Sequence, residues 1–511
     1  MKVLSRTMMA LGAFSLFSLI FGTTPLVSGL ILDIFYIHPV SWLLVFIALG
    51  FYVYSAVVAD SSTSFDSDRA YIPLWIGIAI TVFWVIWLGI QNPIKMVALY
   101  KHTQYVETPL IPQQTIRPIA YTIAASNFNA NQPDSRQAPG DLDYVQDHWT
   151  ASIDPINWNT FTRPTQGLYL FTDDNRVEQV IQPFTFAERG WLWNSAVHTI
   201  RAEEYFVEFS DVLYVRLEDG KYIAVSTLIK RAGFARYPYI WGVAVIDDNG
   251  FIEILSPDMA EADPRLKDIA LVPEKFEKLR DEAYGWRNGV LAGMFGKRGR
   301  VEVQSSTVND ENEAPFHMKS VSGNAWYTPL SPYSYGGNSG VGLAISSSHD
   351  IGGPVGIWML PVNTSFPGAD FLVSFIESAP THRNTNWFRT SSENKCGNVT
   401  ILELSPIIRL ENGQPRFYAM GYVSSAPTST SVMFYTFIDP FTNVVYEDIP
   451  TVDRVNAWLR GEFEIFPVSE NSASIAPQTQ CKLDDLTGLP DQSLIDYLSR
   501  ITEELDRRLG Q

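Results

Sequence analysis

Three residue types in this chain could act together on a substrate. Ser339 stands in a glycine-rich run, His198 lies upstream in SAVHTI, and Asp211 or Asp247 could orient the imidazole. A serine becomes a nucleophile when a base takes its proton and a third group fixes that base, so the chemistry would be acyl transfer. All three side chains must converge for it. Paired acids offer a second possibility, at Asp173 with Asp174 and at Asp247 with Asp248. Consecutive residues of a strand project to opposite faces, and neither pair matches a calcium-loop pattern. An Asp-Asp-Asn run is better explained as a turn whose side chains bond their own backbone.

The string GNSG at 337–340 resembles the Gly-Asp/Asn-Ser-Gly-Gly element of trypsin-like serine proteases, where amides beside the serine form the oxyanion hole. The segment around His198 is similar to that family's histidine segment. The resemblance implies Ser339 as nucleophile, His198 as base and Asp211 or Asp247 as orienting acid. Val341 departs from it, standing where the family has a second glycine. The structural alternative is a loop, YSYGGNSGVG, that leads into a strand.

Other chemistries find little support. The two cysteines, Cys396 and Cys481, fit one disulfide if the body lies outside the cytoplasm, and otherwise two separate buried thiols. No Cys-x-x-Cys or His-x-x-His spacing, Walker loop or G-x-G-x-x-G run is present, so neither a metal nor a cofactor is expected. With 37 Lys+Arg against 55 Asp+Glu the net charge is −18, which repels nucleic acid. The basic run KRGR at 297–300 reads as a helix end complementing its dipole.

These residues must be positioned by a chain that is partly lipid-soluble. Only 18% of residues are charged, below the ~25% of soluble domains. Residues 8–32, 42–59 and 72–90 carry no Asp, Glu, Lys or Arg, and each is long enough to cross a ~30 Å hydrocarbon layer. The sequence thus predicts three spans within an anchor at 1–94, with a signal peptide or a re-entrant hairpin bent at Pro25 as alternatives for the first. No ionisable side chain falls inside the second or third span, so the anchor is not a proton or ion path. Small residues four apart, Ser18 with Gly22 and Gly77 with Thr81, could seat helix on helix. Lys2, Arg6 and Arg69 on one side against Lys95 and Lys101 on the other place the body outside the cytoplasm.

Beyond the anchor, residues 95–165 read as a polar connector, rich in Gln, Asn and Pro, whose Trp149 and Trp158 argue for packing on something. The body then repeats itself. GLYLFTDDNRVEQVIQP (167–183), GVAVIDDNGFIEILSP (242–257) and FYTFIDPFTNVVYEDIP (434–450) each read as two alternating strands about an Asp/Asn turn, and 342–361 follows more loosely. RLEDG at 216–220 is echoed by RLENG at 409–413, at nearly the offset that separates Ile246 from Ile438. The expectation is two homologous α+β repeats, 166–300 and 301–466, each a helix followed by an antiparallel meander. The plan resembles cystatin-like or NTF2-like modules, as analogy of fold only. One helix is expected after a capping box at Thr185 and Glu188, and another over 273–295. A linker and helix at 467–511 place Leu494, Leu498, Ile501 and Leu505 on one amphipathic stripe, suited to a partner or to the chain's own body.

Three functions are compatible with this reading. The first is a membrane-anchored structural or accessory protein, whose acidic body assembles with other subunits or with itself on the lipid bilayer. The second is a ligand-binding or sensory ectodomain. The third is a serine hydrolase using Ser339.

Overall fold

Length and hydropathy decide the first elements. The computed structural model describes residues 24–468, apart from 62–67, 131–136, 156–162, 172–176, 189, 191–192, 297–298, 307–313, 334–338, 383–384, 386, 389–398 and 426–430. Helix α1 (Pro25–Leu32) starts on a proline, continues as a π-helical turn at Asp33–Ile37, and breaks at His38 because the residue before a proline is kept out of the helical region. α2 (Pro39–Ser61) and α3 (Asp68–His102) form an antiparallel pair, both long and apolar enough to cross a membrane. Their shared face is polar in spots: Tyr52 Oη and Thr81 Oγ1 lie 2.9 Å apart, and Ser41 Oγ donates to Gln91 at 3.2 Å. Gly77 lets the Tyr52 ring approach, so the small pair Gly77 and Thr81 does seat α3 on α2. Outward, Leu49, Val57, Ile72, Trp75 and Val85 are all more than half exposed. The segment expected as a first span is seen only from residue 24 onward. There the shorter helix lies against the body, with Arg201 donating to Ser28 Oγ.

With 35 residues, α3 runs for about 50 Å, well past a ~30 Å hydrocarbon layer. Its last turns enter the body. Met96 and Leu99, 2% and 3% exposed, pack there with Ala283 and Trp286.

The segment expected as a connector is woven into the body. β1 (Tyr105–Glu107) and β2 (Gln113–Thr115) become strands of a sheet built mainly from residues two hundred positions later. Among the described residues, a helix followed by an antiparallel meander then occurs four times, in sheets of four, five, seven and four strands. The first set is α4 (Tyr121–Ala130) with β3 (Gln137–Val145), β4 (His148–Pro155), β5 (Leu168–Phe171) and β6 (Val177–Val180). The second is α5 (Ala196–Glu203), a short β7 (Glu208–Phe209), then β8 (Leu213–Arg216), β9 (Tyr222–Ala232), β10 (Tyr237–Ile246) and β11 (Ile252–Leu255), closed by α6 (Pro257–Ala262).

The third set begins with α7 (Glu274–Tyr284), α8 (Val290–Phe295) and β12 (Val301–Val303). It continues through β13 (Phe316–Ser320), β14 (Gly323–Pro332), a two-residue β15 (Ser339–Gly340), β16 (Gly342–Ser347) and β17 (Val355–Met359). β1 adds to β17 in parallel and β2 to β13 antiparallel, while β15 pairs with β18 (Phe366–Pro367). The fourth set is α9 (Ala369–Ser378) with β19 (Val399–Glu411), β20 (Gln414–Ser425), β21 (Val432–Asp439) and β22 (Val444–Val445), followed by α10 (Val452–Leu459).

The repeated strings occupy matching places. RLEDG turns β8 into β9 and RLENG turns β19 into β20, with Gly220, Asn412 and Gly413 at positive φ as tight hairpins need. Asp247 Oδ1 accepts from Asn249 and Phe251 amides, and Asp439 Oδ1 accepts from the Phe441 amide, so both acids build turns. The described residues are mixed helix and sheet, 34% and 35%.

Two expected helices differ. Thr185 and Glu188 cap nothing: the Thr185 amide donates to Asp248 and Glu188 accepts from Ser152 Oγ, and the helix starts eight residues later, where Ser195 Oγ caps His198. Tertiary partners outcompeted the local cap. The helix expected over 273–295 is two helices, α7 and α8. They part at Gly285, whose missing Cβ admits the Val301 carbonyl, and at Gly289, whose φ of 90° favours glycine.

Candidate ligand-binding cleft

Three walls meet around a cleft of about 510 Å³, within the size range of small-molecule sites. Arg117, Tyr144 and Trp149 come from the segment before α4 and from the first meander. Phe209, Asp211, Ile229 and Arg231 come from the second. Glu274 and Phe276 of α7, with His317 and Trp326 of β13 and β14, complete the third wall.

The walls are held from behind. Trp149 Nε1 donates to the Ile119 carbonyl at 3.1 Å, and Trp326 Nε1 to that of Val272 at 2.9 Å, so each indole is pinned by its polar edge, with its ring almost wholly buried in the cleft wall. Arg117 is 5% exposed, pairs with Glu403 of β19, and lies 5.5 Å over the Trp149 ring. Arg231 grips Glu208 through Nε and Nη2 at 2.5 and 2.8 Å, a two-pronged contact that fixes the charge in place. Lys275 Nζ reaches Asp211 at 2.8 Å.

Two titratable groups stand apart from these pairs. Glu274 is exposed at the mouth of the cleft with the walls close on either side; the partial loss of water there, opposed by Arg117, Lys278 and Lys275, pushes its carboxyl up to about 7. His317 donates or accepts at Ser348 Oγ across 3.0 Å and lies 4.9 Å from the Trp326 ring. Burial first, then Arg117, pushes its imidazole down to about 4, so it is neutral near pH 7. The cleft therefore has an apolar, aromatic lining, fixed charge pairs, and one carboxyl that changes charge near neutrality. That is an arrangement for holding an amphiphilic molecule.

Of the residues the sequence singled out, Asp211 lines this cleft, engaged by Lys275. His198 lies in the first turn of α5, where burial pushes its imidazole below the usual range. Ser339 pairs with Pro367, beside Gly340, which packs flat on Phe366. No hydrogen bond among the described residues joins Ser339 to His198 or Asp211. Cys396, Cys481, Leu494, Leu498, Ile501 and Leu505 lie outside the described residues. Among the described residues, no group of three or more His, Cys, Asp or Glu is placed to hold a metal ion.

Sequence reasoning missed Arg117, Glu274, His317 and Trp326. Arg117 and Trp149 lay in a stretch read as a connector, and the clustered aromatics there were the available signal. No family model matches the chain, and no curated protein is similar to it.

Proposed function

We propose that this is a membrane-anchored ligand-binding protein whose body takes an amphiphilic small molecule in the three-walled cleft. The observation that carries the reading is the convergence of Trp149, Trp326 and Phe209 with the titratable Glu274 in one concave site. The anchor is supported by α2 and α3, whose apolar outer faces are left uncovered by the described residues. Residues 8–32 would add a third span, and the balance of Lys2, Arg6 and Arg69 against Lys95 and Lys101 favours an extracytoplasmic body. The shared order of helix and meander, with RLEDG and RLENG at matching turns, supports descent of the sets from one duplicated unit.

Solvent extraction of the full chain, purified in mild detergent, tests the ligand reading. A bound amphiphile is expected in the wild type and is expected to be lost from Ile229→Trp, which fills the cleft, with the unfolding transition unchanged. Recovery of no small molecule, together with no thermal shift across a panel of amphiphiles, would sink it.

Assembly with other subunits has its own support in apolar side chains left on the body. Leu291 and Phe295 of α8, which packs beside α3, are 73% and 77% exposed. Native mass measurement after mild extraction decides this: a lone monomer removes the assembly reading and leaves the ligand reading standing.

A further inference from the structure

Where α2 and α3 meet the body, a second and smaller cavity of about 90 Å³ opens between the first turn of α2, the stretch of α3 around Gln91 and the β9–β10 hairpin. Its charged lining is wholly basic: His38, Lys95, Arg231 and Arg236 contribute, and no carboxylate does. In a chain of net charge −18 this is a local reversal of sign.

The four are not equally committed. Arg231 is neutralised by Glu208, and His38 lies 3.8 Å from Asp33. Lys95 has no hydrogen-bond or ion-pair partner among the described residues. Arg236 stacks 4.3 Å over the Tyr36 ring and donates Nη2 to the Tyr36 carbonyl, while its buried Nε has no partner. Two cations without an ion pair among the described residues therefore share a small cavity with the hydroxyl of Ser41 and the amide of Gln91, Glu282 and Glu208 acting on Lys95 only from farther off.

The surroundings say which anion fits. Phe234, at the tip of the β9–β10 hairpin, is 69% exposed and meets Trp87 of α3 edge-on at 5.5 Å. Below it run the uncovered apolar faces of α2 and α3. A basic cavity with aromatic rings at the edge of an apolar belt has the polarity profile of the lipid headgroup zone.

We propose that this cavity binds the phosphate of an anionic phospholipid, with Lys95 and Arg236 as its charge partners and Phe234 and Trp87 against the upper acyl chain. The proposal rests on the membrane-anchored reading above, and the test separates the two. Full-length protein is first assayed for retention in carbonate-washed membranes. It is then placed in nanodiscs of phosphatidylcholine with or without phosphatidylglycerol, and the lipids retained on release are counted by native mass spectrometry. Phosphatidylglycerol is expected to be retained over phosphatidylcholine. Lys95→Gln and Arg236→Gln are each expected to weaken that retention about fivefold, the effect of about 1 kcal/mol per basic residue.

Equal retention of both lipids by the wild type, or an undiminished preference in the folded double variant, overturns the proposal. Displacement of the lipid by millimolar inorganic phosphate would assign the cavity to a soluble anion and overturn the lipid assignment. If a variant does not fold, the wild-type comparison of the two lipids decides. Loss of the chain from carbonate-washed membranes refutes the anchor and this site together, whereas a membrane-retained chain without lipid preference refutes this site alone.

Discussion

Arg117 and Glu403 form an ion pair with both side chains at least 95% buried, and it joins the stretch before α4 to β19 across 286 positions of sequence. The Tyr422 hydroxyl donates to the Arg117 carbonyl at 2.8 Å and that of Tyr435 to Pro118 at 2.5 Å, so the backbone is clamped as well. Removing one partner strands a charge in the interior. Glu403→Gln or Arg117→Ala is expected to cost about 3–5 kcal/mol in denaturant unfolding, and an Arg117→Met, Glu403→Leu double variant to recover most of it. A single-variant loss below ~1 kcal/mol would show that water reaches the pair.

The Lys275–Asp211 contact should behave oppositely. Its side chains are 80% and 44% exposed, so solvent screens the attraction. Lys275→Ala is expected to change stability by less than about 1 kcal/mol and to lose even that in high salt.

Two groups in the cleft make stability depend on pH in opposing senses. Glu274 sits at about 7 against an ordinary 4.5, so the folded chain holds a proton that the unfolded chain releases. Its contribution is full below pH 4.5 and is lost as pH rises through about 7. His317 sits at about 4 against 6.5, so the unfolded chain binds a proton that the folded one refuses. Its contribution is full above pH 6.5 and is lost as pH falls towards 4. Glu274→Gln is therefore expected to raise Tm relative to the wild type above pH 7 and to match it near pH 4. His317→Asn is expected to lessen the loss on acidification. Tm curves parallel to the wild type across that range would contradict both assignments.

The docking of α3 on the body can be tested at Leu99, which packs with Ala283 and Trp286. Leu99→Ala is expected to cost about 2–5 kcal/mol, because a methyl-lined void replaces a filled one. Proteolysis between α3 and β1 should accelerate in parallel. An unaltered cleavage rate would mean that the body holds without this helix.

Much of the local structure was legible in the sequence. Uncharged runs of helical length mark α2 and α3, since the hydropathy of a span is a sum over its own residues. Alternating strands about Asp, Asn and Gly mark the hairpins at 242–257 and 434–450, since a tight turn needs residues that tolerate positive φ or bond their own backbone. The capping motif at Thr185 and Glu188 misled because the Thr185 amide bonds the Asp248 carbonyl and the Glu188 carboxylate accepts from Ser152, at a distance no local pattern encodes.

The cleft belongs to the other kind of information. Arg117, Asp211, Glu274 and His317 lie on four separate stretches of chain, and each alone reads as an ordinary polar residue. Their shared site, and the desolvation that lowers His317, arise from walls contributed by distant segments. The sequence by itself determined two long apolar helices, an acidic remainder and the turns between strands, because those follow from neighbours along the chain. Only the tertiary structure decided which charges are buried, which are paired and which face a common cavity, because burial and Coulomb energy depend on distance in space.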